Sequence, residues 1–291
     1  MFRVTESMIF SQVTSSVAKA QKRAYEAQAV AQTGIRVSRV SDDPLGASRA
    51  SILNSTLERL EGMSGVSARA TEELSVAESA LGEAGALMTR AREIAIAGAN
   101  GSMGADSRAA LAEEIDGIRD QMLTLANTRV ADVYVFGGFK LVEPPYDEDG
   151  NYSGDAGVRR GEIAPGTSVN MNIPGQDAFG GDSDVFSVLE NLSLQLRAND
   201  GGAVGESLTD LETTFQQVSN ARARTGVYLG HLQSGDQLRY QLESSALVHR
   251  TESVEADINE SFNDLAQTQF ALQSAIAQAQ TILQGLKNGI R

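Results

Sequence analysis

The sequence predicts a mainly α protein, an elongated rod of long helices with paired terminal helices and a small β-rich insertion. Three observations carry that prediction. The two ends of the 291-residue chain hold apolar seams of matching rhythm. Further segments between them repeat Ala, Leu, Ile and Met at helical spacing. Four of the five prolines fall between 144 and 174, where turn pairs and alternating residues replace the helical pattern.

The first helix is expected over about 5–33. Phe10, Val13, Val17, Ala20, Ala24, Ala27 and Ala31 step by three and four, which places them on one narrow stripe. Such a stripe is a seam that faces a partner rather than a broad core face. Gly34 suits the C-terminal cap. After the irregular link 34–40, Ser41-Asp42-Asp43-Pro44 reads as a helix start: Asp43 can cap free N–H groups, and Pro44 fits the first helical position. That helix is expected over 44–61, with an interruption near Gly62 and Gly65.

A long helix over 66–97 follows, with Leu74, Ala77, Leu81, Ala84, Met88, Ala91 and Ala95 on one face. Asn100-Gly101 and Gly104 end it. A further helix over about 106–129 carries Leu111, Ile115, Ile118, Met122 and Leu125, and the two read as an antiparallel hairpin. Composition changes at Val133. Val133-Tyr134-Val135-Phe136 is β-prone, Asp149-Gly150 and Pro165-Gly166 are turn pairs, and residues 168–173 alternate polar and apolar. Helices resume over 184–198, 206–249 and 254–287. In the last, Ile258, Phe262, Leu265, Leu272, Ile276, Ala279, Leu283 and Leu286 repeat the N-terminal rhythm, with Gln269 as the one polar member. The expected domains are 1–40 with 251–291 (terminal coiled coil), 41–133 with 182–250 (helical rod), and 134–181 (β-rich insertion). The two halves must lie side by side, because each hides its seam only against the other.

Composition narrows the functional classes. Net charge is −14, which argues against a nucleic-acid backbone or an anionic membrane as partner. With no cysteine, neither a disulfide framework nor a thiolate metal site is possible. No apolar stretch approaches the ~20 residues of a membrane span, and residues 1–10 lack the core of a signal peptide. Export, if it occurs, is expected to use no cleaved signal.

No catalytic constellation emerges, and no cofactor or metal site is expected. His231 and His249 share a helix face but sit roughly 27 Å apart, too far for one metal. Residues 147–158 begin like a calcium loop, with Asp147, Asp149 and Asn151, yet Tyr152 and Val158 stand where the turn glycine and bidentate glutamate belong. An acidic β-turn is the better reading. Arg159-Arg160 reads as a solvated pair. Glu72-Glu73 and Glu113-Glu114 are adjacent on helices, so their side chains diverge by about 100° and form no dyad. Gly137-Gly138 reads as a turn after a strand.

Gln32-Thr33-Gly34-Ile35-Arg36-Val37, followed by Ser41-Asp42-Asp43-Pro44-Leu45-Gly46-Ala47, resembles the flagellin family. Pro44 after the Asp pair is more similar to the hook–filament junction branch of that family than to its filament members. So are Ala91-Arg92-Glu93-Ile94-Ala95, Leu125-Ala126-Asn127-Thr128-Arg129 and Tyr134-Val135-Phe136-Gly137-Gly138, together with the first ten residues. The resemblance is strong over the first ~140 residues and covers the last ~45 by pattern, as in Glu255-Ala256-Asp257-Ile258. It implies a structural, non-enzymatic subunit of the bacterial flagellum, extracellular and exported unfolded through the flagellar type III apparatus. Its implied partners are copies of itself in a ring, hook-associated protein 1, flagellin and an export chaperone.

The residues expected to form the assembly interface are Phe10, Val13, Val17, Ile258, Phe262, Leu265, Leu272, Ile276 and Leu283. Gly34, Asp42, Asp43 and Pro44 are expected to shape the hinge and cap. An Ala-rich seam buries little area, so both ends are expected to fold fully only when neighbours cover them. A filament flagellin is the nearest rival. A secreted coiled-coil translocator or adhesin would need an apolar insertion hairpin, which the sequence lacks. An enzyme built on the insertion would need titratable groups clustered in a pocket.

Overall fold

The computed structural model describes residues 2–181 and 183–289, with side chains over 7–181 and 183–285. Met1, Asp182, Ile290 and Arg291 lie outside the described residues, as does the side chain of Leu286 from the expected C-terminal seam. Among the described residues the helices are α1 (Phe2–Thr33), α2 (Pro44–Gly98), α3 (Ala105–Ala126), α4 (Val185–Arg197), α5 (Gly201–Val254) and α6 (Ile258–Gly289). Between α3 and α4 stand the strands β1 (Arg129–Val130), β2 (Val133–Tyr134), β3 (Arg160–Ala164) and β4 (Thr167–Asn170), then one π-helical turn, Gln176–Gly180. The architecture is mainly α, as the periodicity predicts.

Helix ends follow local chemistry. Gly34 adopts φ +69° and donates its N–H to Val30 O at 2.8 Å, closing α1. Asp43 Oδ1 accepts from Gly46 N at 2.9 Å and opens α2, with Pro44 first in the helix. Asp184 caps α4 through Ser187 N. Asp200 Oδ1 accepts from Gly202 N and Ala203 N, so α5 starts at Gly201 rather than near 206. Asp257 Oδ1 accepts from Asn259 N at 2.7 Å and starts α6. The last helix therefore begins at Ile258 and not near 254, because α5 runs on to Val254.

Two further expectations are corrected. The interruption at Gly62 and Gly65 is absent: α2 is one 55-residue helix. Each glycine costs about 1 kcal/mol against alanine in a helix. Leu60, Met63, Ser67, Ala70 and Leu74 are buried at spacings of three and four, and that packing carries the helix through. The third helix ends at Ala126, not near 129. Asn127 leaves it to bond Tyr146 through both its amide N–H and its carbonyl, each at 3.0 Å, and β1 begins at Arg129 to pair antiparallel with β2.

The chain forms two compact units. One holds the residues up to Glu58 and from Glu243 onward; the other is Arg59–Leu242. Both divisions fall inside continuous helices, α2 and α5. In the central unit α2 and α3 are antiparallel: Arg90 Nε meets Glu114 Oε1 at 2.7 Å, while Arg108 Nε reaches back to Gly98 O at 2.8 Å. α5 returns along α2, with Arg92–Glu212 at 3.0 Å and Arg222–Glu78 at 2.7 Å. The β-bearing segment shares this core. Phe136, Tyr146, Phe179 and Phe186 form one aromatic cluster, in which Phe136 and Phe179 pack edge to face at 5.2 Å. The β3–β4 hairpin turns at Pro165-Gly166 and seats Ile163 and Val169 on Ala70, Leu74 and Leu232.

Candidate assembly interface

The terminal unit brings α1 and α6 together along their seams. On α1, Ala24 and Ala27 are buried, and Val13, Val17, Ala20 and Ala31 are half-buried. On α6 the covered stripe is Ser261, Leu265, Thr268, Leu272, Ala275 and Ala279, which steps alternately by four and three. Small side chains dominate the stripe on both helices, which allows close approach at little apolar area.

The expected C-terminal seam therefore divides. Leu265 and Leu272 lie in the covered stripe. Ile258, Phe262, Ile276 and Leu283 remain exposed, at 65%, 56%, 40% and 39%. At 100° per residue they form a shoulder roughly 60° around the helix from the covered stripe. Gln269 lies on that shoulder and is exposed. Phe10 on α1 is likewise exposed, at 56%. Sequence periodicity missed Ser261 and Thr268 because both are polar. Their hydroxyls are satisfied within the helix, by Asp257 O at 2.7 Å and Asp264 O at 2.8 Å, so they enter the stripe without an orphaned donor. A Ser or Thr at the three–four spacing is the signal that would have found them.

The joint at the base of this pair is built from two links. Ile35 and Glu255 form an antiparallel bridge. Val254 O accepts from Arg36 N at 2.9 Å and Val37 N at 3.1 Å, and Gly34 O accepts from Ala256 N at 2.9 Å. Arg36, which sequence reasoning did not single out, ties the joint together. Its guanidinium donates to Asp43 Oδ2 at 3.2 Å and Ser253 O at 3.1 Å. Gly46 is needed here, since a Cβ would sit 2.7 Å from Asp43 Oδ2 and 2.9 Å from Ser253 O. Asp42 Oδ2 accepts from Arg39 N at 2.8 Å and from the Ser38 hydroxyl. The Arg39 N–H holds the Asp42 carboxyl below the usual carboxylate range. The Gly46 N–H, then Arg36, does the same for Asp43.

The other singled-out residues are engaged structurally. The Asp147 carboxylate accepts from Asp149 N, Asn151 N and the Asn151 side-chain amide, forming a turn closed by a Tyr146–Tyr152 bridge. Glu113 and Glu114 bind different arginines, Arg197 and Arg90. His231 is exposed, and His249 pairs with Glu252 at 3.1 Å. Among the described residues no three His, Asp or Glu side chains converge as a metal cage. The Arg159-Arg160 reading needs correction: Arg160 is exposed, but Arg159 is drawn into a largely buried ion pair with Glu73, a partner 86 residues away.

Residues 4–138 match the model of the bacterial flagellin N-terminal helical region. The alignment to flagellar hook-associated protein 3 of Escherichia coli covers 98% of both chains at 26% identity. The chain is similar to hook-associated protein 3 over nearly its whole length. The crystal structure of Bacillus cereus FlgL shares the fold, with a TM-score of 0.61 over 69% of this chain and 99% of that one at 22% identity. Polar flagellin F of Vibrio parahaemolyticus is 27% identical, but the match takes in only 55% of its length. Likeness to hook-associated protein 3 thus extends through the insertion and the C-terminal helices, and likeness to the flagellin leaves nearly half of that protein unmatched.

Proposed function

We propose that this chain is a structural subunit of the bacterial flagellum that joins hook-associated protein 1 at the hook end to the flagellin filament. The observation that carries the reading is the end-to-end similarity to hook-associated protein 3. It acts as a ring of identical subunits, without enzymatic activity, and leaves the cell unfolded, with an export chaperone and no cleaved signal. The terminal helices pair into an inner coiled-coil tube of that ring, and the middle of the chain faces outward. In this arrangement the exposed shoulder of Ile258, Phe262, Ile276 and Leu283, with Phe10, meets neighbouring subunits. Val13, Val17, Leu265 and Leu272 hold α1 to α6. Gly34, Asp42, Asp43 and Pro44 set the angle at which the chain leaves the terminal pair.

Immunogold labelling of intact flagella with antibody to residues 140–181 tests this. A single band where hook meets filament is expected. Label along the whole filament would identify a flagellin instead, and a flagellum without label would return the secreted coiled-coil reading.

A further inference from the structure

A groove on the flank of α2 is basic in a chain of net charge −14. Its volume is about 750 Å³, and its walls carry Arg59, Arg69, Arg159 and Arg160 against Glu73 and Glu162. Met63, Val66 and Met171 make an apolar floor. Both glutamates are engaged: Glu73 holds Arg159, and Glu162 accepts from Gly166 N at 3.0 Å. Among the described residues, Arg160 Nε donates to the Asn170 amide oxygen at 3.0 Å. Arg59 and Arg69 are exposed. A surplus of guanidinium groups over an apolar floor selects a segment rich in carboxylates with an apolar tip, because the planar guanidinium grips carboxylates in bidentate fashion.

The same chain presents such a segment. Residues 142–149 contain Glu143, Asp147, Glu148 and Asp149 and no Lys or Arg, and they are led by Val142, which is 80% exposed. Asp147 closes its own turn, but Glu143, Glu148 and Asp149 are exposed. The loop stands outside its own groove with its acidic residues exposed, although Leu141, just before it, lines that groove. It is fastened to α3, through the Asn127–Tyr146 pair and through Arg119 Nη2 to Asp149 O at 2.6 Å. The groove lies between α2 and the β-bearing segment, with β3 residues Arg160, Gly161 and Glu162 in its wall.

We propose that the Arg59–Arg69–Arg160 groove of one copy receives the 142–149 loop of the next. The groove of one copy meets the loop of the next and not the reverse, so the contact is heterologous. Each added copy leaves a fresh groove and a fresh loop, which is the geometry of a ring or helical layer rather than of a closed dimer. The inference rests on the ring-subunit reading for its setting, and it adds a lateral contact outside the terminal helices.

The natural chain has no cysteine, so single introduced cysteines report cleanly. Full-length Arg69→Cys and Glu148→Cys chains are purified, mixed and oxidised. The mixed disulfide dimer is expected to exceed either homodimer severalfold. Adding Arg59→Glu to the groove chain should cut the mixed dimer about tenfold, and Glu143→Arg on the loop chain should restore it, since charge reversal at both faces recovers complementarity. A statistical mixture of dimers, or a mixed dimer indifferent to both charge changes, would overturn the docking. The immunogold band does not depend on these pairs. A band at the junction with no selective cross-link would reject the docking and leave the junction reading standing.

Discussion

Arg108 ties three segments of the central unit together. Its side chain is 5% exposed, and its guanidinium reaches Gly98 O, Asn100 O and the Asn199 side chain, so one cation joins the C-terminal end of α2 to the turns before α3 and α5. The position is favourable twice over, because the carbonyls left free at a helix end also carry its negative pole. Arg108→Met should lower unfolding free energy by about 3 kcal/mol or more, read from urea denaturation, and Arg108→Lys should recover only part of it. At the joint, Asp43 titrates below its unfolded value, so its contribution is present above the ordinary carboxylate range and is lost as pH falls through the lower folded value. Between about pH 5 and 2 the melting temperature of the natural chain should therefore fall more steeply than that of Asp43→Asn. Parallel pH profiles would remove Asp43 from the joint's energetics. At this scale much was readable in advance: Gly34, Asp43 and Pro44 act on backbone groups within four residues. Arg108, Arg36 and the Arg159–Glu73 pair were not readable, because their partners lie far along the chain or on backbone carbonyls that a sequence does not mark.

Among the elements, α6 shows how one seam serves two surfaces. Its apolar stripe is wider than α1 can cover, so Leu265 and Leu272 turn inward while Ile258, Phe262 and Ile276 stay exposed. Truncation on the two edges should differ. Phe262→Ala is expected to leave urea stability within about 0.5 kcal/mol and to abolish the junction band, since the ring removed is exposed in the single chain. Leu272→Ala should weaken protection of α1 in hydrogen exchange as well as assembly. Equal stability losses from both would mean that the shoulder is packed in the monomer and is no assembly surface. The three–four rhythm located the stripe, but periodicity carries no information about which edge meets which partner. The uninterrupted α2 makes the same point: two glycines at 62 and 65 are a local argument for a break, and burial of Leu60, Met63 and Leu74 outweighs it.

For the molecule as a whole, stability is uneven. The central unit holds the aromatic cluster and most of the buried Leu and Ile, whereas the α1–α6 contact rests largely on alanines and half-buried side chains. Burial at about 25 cal/mol per Å2 rewards the first far more than the second. The terminal pair should therefore open first: removing residues 1–33 and 254–291 is expected to lower the circular-dichroism helix signal of the free chain by less than their share of its length. A loss in full proportion would show that the ends are already firmly folded before assembly. The sequence by itself determined the helical class, the order of helices around a β-bearing middle, the matching seams and the caps that start α2 and end α1. Each of these depends on periodicity or on contacts a few residues apart. Only the tertiary structure decided how the C-terminal seam divides, that α2 runs unbroken, that Arg159 pairs with Glu73 and that arginines gather beside α2. Those features arise from side chains distant in sequence that compete for the same space, and a linear pattern does not record the outcome.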